Sequence, residues 1–226
     1  MLLSSGVNMR RCARILGIDR KTVVRKLLFN GAQAKVERIK LLEKWKTSEQ
    51  KLKSIQFDEM ETFEHSKCLP LSIPLAVEPE TRKILSFRVG RMPANGPLAE
   101  ISRRKYGKRE DDRPEMAHSL FSELQGVLAP DGIISTDKNP KYPGWIKPHF
   151  PEATHRRHKG RRGCVVGQGE LKKVGFDPLF SLNQVCAMIR ANVSRLIRRT
   201  WNTTKRRDRL EAHLELYVRY HNQVLT

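Results

Sequence analysis

The stretch Gly132-Ile-Ile-Ser-Thr-Asp137 decides the reading of the fold. A short β-branched run that stops on an acid reads as a buried strand over 132–136, with Asp137 at its end. Just before it, Met116, Leu120, Leu124 and Leu128 recur at helical spacing, so 114–128 reads as a helix. Further back, 55–63, 69–77 and 83–91 read as three strands, with turns near 65–67 and 78–81. Pro70 and Pro74 mark the second of these as an edge strand or an irregular one, because proline cannot donate to a ladder. Residues 105–113 read as a charged loop, 141–150 as a short helix or loop, and 153–157 as a fifth strand. Three strands, a helix, a strand, a helix and a strand make an α/β pattern. After a glycine-rich basic stretch, 181–201 reads as one long helix. It turns Leu182, Val185, Ile189, Val193 and Leu196 inward and Arg190, Arg195, Arg198 and Arg199 outward. A last amphipathic helix covers 207–224.

At the other end of the chain, 9–16 reads as a short helix broken by Gly17. Asp19 is a good N-cap for a second helix over 20–28, with Val23, Val24 and Leu27 inward. Two short helices joined by a glycine-containing turn make a helix-turn-helix unit. Its second helix offers Arg20, Lys21, Thr22 and Arg25 to phosphates and base edges in a major groove. Residues 35–53 read as a charged helix with Leu41, Leu42 and Trp45 as its apolar stripe, either a spacer or a dimer contact, with the spacer favoured.

Lys and Arg number 44 against 24 Asp and Glu, a net charge of +20. Such a surface calls for a polyanion, and charge alone does not separate DNA from RNA. No apolar run approaches the roughly 20 residues that cross a bilayer, and the first residues lack a signal-peptide pattern. A cytoplasmic protein with no membrane partner is the expectation. The four cysteines form no C-x-x-C pair, so a structural zinc site is not expected; Cys12 and Cys186 fall in apolar helical patterns and read as buried thiols.

Two acids stand out by position. Asp58 lies within the first strand, in Phe57-Asp-Glu-Met60, and Asp137 ends the fourth. On neighbouring strands the two carboxylates converge, and hard Mg²⁺ prefers such oxygen ligands. Glu59 should face the opposite side of its strand. In the basic stretch after the fifth strand, Arg156, Arg157, Lys159, Arg161 and Arg162, with His155 and His158, read as a phosphate grip. The glycines between 160 and 169 are not a nucleotide-binding loop, since no G-K-[ST] follows them. Trp145 and Trp201 read as packing residues rather than base-stacking platforms.

The order of these motifs resembles a family. A helix-turn-helix, F-D-E in a first strand, S-T-D-x-x-P-x-Y after a later strand and a basic helix are similar to prokaryotic insertion-sequence transposases of the insertion-element-one type. The most specific part runs from Gly6-Val-Asn-Met-Arg-Arg-Cys-Ala-Arg-Ile-Leu16 into Asp19-Arg-Lys-Thr-Val-Val-Arg-Lys-Leu27. The resemblance implies an RNase H-like mixed sheet flanked by helices, preceded by a small helical reader. The expected division is a helix-turn-helix domain over 1–33, a helical linker over 34–53 and a catalytic core over 54–226. It implies Mg²⁺ or Mn²⁺, as two ions, cutting DNA at element ends and joining them to a target. The implied partners are the terminal repeats, target DNA and further copies of the chain bound on DNA in a bacterial or archaeal nucleoid. Carried over by motif, the ligands are Asp58, Asp137 and, where the family has Glu, Asn183. Glu170 is the rival third ligand, and a helix cap is the plain alternative for Asn183. The missing Glu keeps a second expectation open: a non-catalytic DNA-binding protein derived from a transposase. An RNA-binding protein is the third.

Overall fold

The computed structural model describes residues 1–159, 177–197 and 202–225. These form an α/β structure with a six-stranded mixed sheet flanked by helices. Strands β1 (Leu52–Phe63), β2 (Pro70–Val77) and β3 (Ile84–Phe87) run antiparallel in sequence, and the two-residue β4 (Gly90–Arg91) also pairs with β2. The chain then crosses back: β5 (Leu128–Asp137) pairs parallel with β1, and β6 (Thr154–His158) pairs parallel with β5. The order across the sheet is β3-β2-β1-β5-β6.

The period of two along the strands divides the core. Ile55 and Phe57 of β1 face the side covered by α4 (Arg113–Leu124) and α5 (Tyr142–Ile146), where Leu120, Phe121, Tyr142 and Trp145 pack. Met60 of β1 and Leu71, Ile73 and Leu75 of β2 face the side covered by α6 (Phe180–Asn192) and α7 (Arg207–Tyr220). The sheet is thus buried on both faces, as a strand that reads as a continuous apolar run requires.

The N-terminal helices rest on this body. α1 (Met9–Leu16) is capped by the Asn8 side chain, which accepts from the Arg11 N–H at 2.9 Å. Gly17 ends it in the left-handed region at φ 63°, where a Cβ would be strained. Asp19 then caps the next helix, accepting from the Lys21 N–H at 2.7 Å. That helix, α2 (Arg20–Thr47), is a single 28-residue element. The separate helices expected over 20–28 and 35–53 are one, and it runs straight through the expected boundary at residue 33. Its inner face, with Val23, Leu27, Ala34 and Leu42 buried, is continuous across that point. Arg38 fixes α2 to the rest: its guanidinium donates to both Glu215 carboxylate oxygens at 3.0 Å, to Glu123 at 2.8 Å and to the Leu85 carbonyl. Removing one partner of such a buried charge group typically costs about 3–5 kcal/mol.

Other expectations shift. β2 is internal, not an edge. The Pro74 carbonyl accepts from Arg88 at 3.1 Å, so its missing N–H lies on the same side, level with the gap between β3 and β4. Pro70 opens the strand, where little pairing is lost. A helix, α3 (Leu98–Tyr106), stands at the start of the expected 105–113 loop. α4 ends at Leu124 rather than 128, and β5 begins at Leu128 rather than 132. α6 ends at Asn192, well short of 201, although Val193 and Leu196 remain in the core. No helix among the described residues is long and apolar enough to cross a membrane.

Candidate functional site

β1 and β5 place the two acids. Their parallel pairing ends at Gln56 against Ser135; continued two residues, that register sets Asp58 level with Asp137 on one face of the sheet, and the Asp137 charge acts on Asp58. Neighbouring strands lie about 4.8 Å apart, so the side chains rise from adjacent positions. β6 continues the row, since Asp137 pairs with His158. Burial raises the Asp58 carboxyl above the usual range, and the negative charge of Asp137 adds to the rise. Hydrogen bonds from the Glu59 N–H and the Tyr142 hydroxyl, and the Arg190 cation, act in the opposite direction.

Each carboxylate is held by one oxygen. Asp58 Oδ1 accepts from the Glu59 N–H at 2.7 Å and from the Tyr142 hydroxyl at 2.9 Å. Tyr142 is buried and wedged edge-on against Phe57, ring centroids 5.0 Å apart, so its hydroxyl is fixed by the core. Asp137 Oδ1 accepts from the Asn139 N–H at 2.8 Å, the turn that follows β5. The second oxygen of each acid has no hydrogen-bond partner among the described residues. Two partly buried carboxylates side by side, each with an open oxygen, suit a hard divalent cation.

The helix α6 lies over this face. Gln56, two residues before Asp58, accepts from the Leu182 N–H and donates to the Pro178 carbonyl, both at 2.9 Å. This pins the start of α6 to β1. Asn183, Cys186 and Arg190 follow at i, i+3 and i+7 on one stripe of the helix. Asp58 interacts electrostatically with both Cys186 and Arg190, so these two residues of the stripe face Asp58; burial and the Asp58 charge push the Cys186 thiol up to about 12. Asn183 is exposed, and its Nδ2 donates to Asp177 at 2.8 Å, leaving Oδ1 without a hydrogen-bond partner among the described residues. It stands three residues inside α6 rather than at its cap. Among the described residues no three His, Cys, Asp or Glu side chains are close enough to hold a metal together.

The other candidates scatter over the surface. Arg20, Lys21 and Arg25 are exposed at the start of α2, and Thr22 is half-buried. Arg156 and Arg157 are exposed on β6, which is an edge strand, and Lys159 follows them. Arg156 pairs with Ser135 and shares the face of Asp137 and His158; Arg157 points to the other face and donates to the Lys138 carbonyl at 3.0 Å. Arg161, Arg162, Glu170, Arg198, Arg199 and Trp201 lie outside the described residues. Arg195, expected on an outward basic face, is buried and donates to His213 instead, because α6 has already ended when the chain reaches it. Trp145 is buried against Tyr142, and Glu59 accepts from Ser72 on the face away from Asp58.

Sequence reading missed Gln56 and gave Tyr142 no role. A lone amide two residues before an acid on a strand carries no pattern of its own, and a Tyr after a turn reads as core. Comparison of the chain with protein-family models and with curated proteins finds no match.

Proposed function

We propose that this protein is a transposase that cuts and joins DNA by metal-assisted phosphoryl transfer, with Asp58 and Asp137 as its metal-holding carboxylates. The observation that carries the reading is the row across β1, β5 and β6, where Asp58, Asp137 and His158 stand on one face of the sheet, with α6 packed at the β1 side of the row. The sheet order β3-β2-β1-β5-β6, with the acids on the two central parallel strands, is compatible with an RNase H-like core. Divalent ions bound there would activate a water or a 3′-hydroxyl and stabilise the leaving oxygen. The chain's own part is to hold the ligands still. Tyr142 and the Glu59 N–H fix one oxygen of Asp58, and the Asn139 N–H fixes one of Asp137. Asn183 offers an amide oxygen from the α6 stripe, a weaker ligand than carboxylate. Arg156 on the neighbouring edge strand holds substrate phosphate beside the acids, and α1, Gly17 and α2 form a helix-turn-helix that reads the element ends through Arg20 and Lys21.

The test is strand cleavage and transfer on duplex DNA carrying the sequences that flank the gene, with Mg²⁺ or Mn²⁺. Asp58→Asn and Asp137→Asn are expected to abolish both reactions while DNA binding persists. Undiminished cleavage by both variants would remove the assignment. A second reading, a DNA-binding protein without catalysis, is favoured by Asn183, which pairs with Asp177 where a third carboxylate is expected. It predicts binding to the same duplex and no cleavage by the unaltered chain.

A further inference from the structure

α2 has two apolar faces, and among the described residues only one is used inside the chain. The inner face packs on α7 and the sheet body. On the outer face Arg25, Phe29, Ala32, Val36, Ile39 and Glu43 are all exposed, Phe29 by 59% and Val36 by 48%. Their spacing is 4-3-4-3-4, the a/d repeat of a coiled coil, over residues 25–43 of the helix. A solvated helix face has no reason to keep Phe, Val and Ile at that repeat.

The repeat is also self-complementary. Set antiparallel to its own copy about a two-fold axis at residue 34, the seam places Phe29 against Ile39 and Ala32 against Val36. The same register places Arg25 against Glu43 at both ends. Small meets branched at the centre, aromatic meets aliphatic outside it, and opposite charges close the seam. An isologous contact requires this kind of match, residue i to j and j to i. We infer that two copies of this chain dimerise through an antiparallel α2–α2 coiled coil centred on residue 34. The contact needs neither catalysis nor DNA, so it stands apart from the transposase reading. It leaves Arg20 and Lys21, at the first turn of each α2, beyond the ends of the seam and free for nucleic acid.

Sedimentation of the full chain after nuclease treatment, at moderate salt, tests this. The unaltered protein is expected to sediment at twice its 26.1 kDa monomer mass in the micromolar range. Phe29→Glu and Val36→Glu should each give monomers. Arg25→Glu and Glu43→Arg should each weaken the dimer by roughly ten-fold or more, since each puts two like-charge pairs in place of two ion pairs. Arg25→Glu combined with Glu43→Arg should restore it, which a misfolded variant cannot do. A monomeric unaltered chain would overturn the inference. So would a dimer that survives Phe29→Glu, or charge reversals that fail to rescue one another.

Discussion

At the scale of single residues, polar groups buried in the core decide what the surface can do. Asp58 is kept partly buried and partly bonded, with a carboxyl raised by burial and by Asp137. An acid in that condition gains by meeting a cation. His213 is the opposite case. It lies 1% exposed, accepts from Arg195 at 3.2 Å, and its other ring nitrogen faces the Leu3 carbonyl at 2.7 Å. Burial, with the Arg195 cation adding to it, pushes its pKa down to about 4. A histidine depressed in the fold binds its proton more tightly when unfolded. The stability it contributes is therefore complete above about pH 6.5 and is lost as the pH falls toward about 4. Gln can keep both contacts without titrating. Urea unfolding of His213→Gln should show a slope of stability with pH shallower by up to about 1.4 kcal/mol per unit in that window. An unchanged slope would mean that His213 does not carry the titration.

Among the elements, the strands were legible and the long helix was not. β1, β2 and β5 announce themselves by β-branched or alternating runs between turn residues; the ends of β1, β2 and β6 fall near the expected places, whereas β5 starts four residues early. Of the two readings for β2, edge or irregular, the edge fails: the strand is internal, and its neighbour is broken between β3 and β4 opposite Pro74; the pairing with β3 is irregular, with a register shift between Ala76 and Val77. α2 was divided because its outer face is apolar too, so the sequence shows no single stripe to follow. Asn30-Gly31 also imitates a helix stop. Gly31 instead serves packing: a Cβ there would stand 2.7–2.8 Å from the backbone of Ala212 on α7. Gly31→Ala should push the two helices apart and cost about 1–3 kcal/mol despite the better helix propensity of alanine. Thermal or chemical unfolding reads this directly, and a stabilised variant would show that α2 and α7 are not in close contact. The candidate site was legible as far as its two acids. Its supports, Gln56 and Tyr142, depend on which strands and helices meet, and no local pattern encodes that.

For the whole molecule, the parts converge on one end of the sheet. The crossover from the antiparallel run into β5 brings residues 58 and 137 together from positions far apart in sequence. α6 packs at the β1 side of the pair, and the basic edge strand β6 lies alongside β5. The N-terminal helices are joined to this body through α7, where Leu3, Cys12, Val23 and Leu27 pack with Leu216, and through Arg38. A net charge of +20 would favour a polyanionic partner for a body that already holds its carboxylates in place. In the proposed function Asp58 and Asp137 make one cation site. Mn²⁺ binding, followed by the loss of the free-ion electron paramagnetic resonance signal, tests it without knowing which DNA sequence is cut. The full chain is expected to bind Mn²⁺, and Asp58→Asn and Asp137→Asn are each expected to weaken binding by at least about ten-fold. Equal Mn²⁺ binding by the unaltered chain and both variants would contradict it.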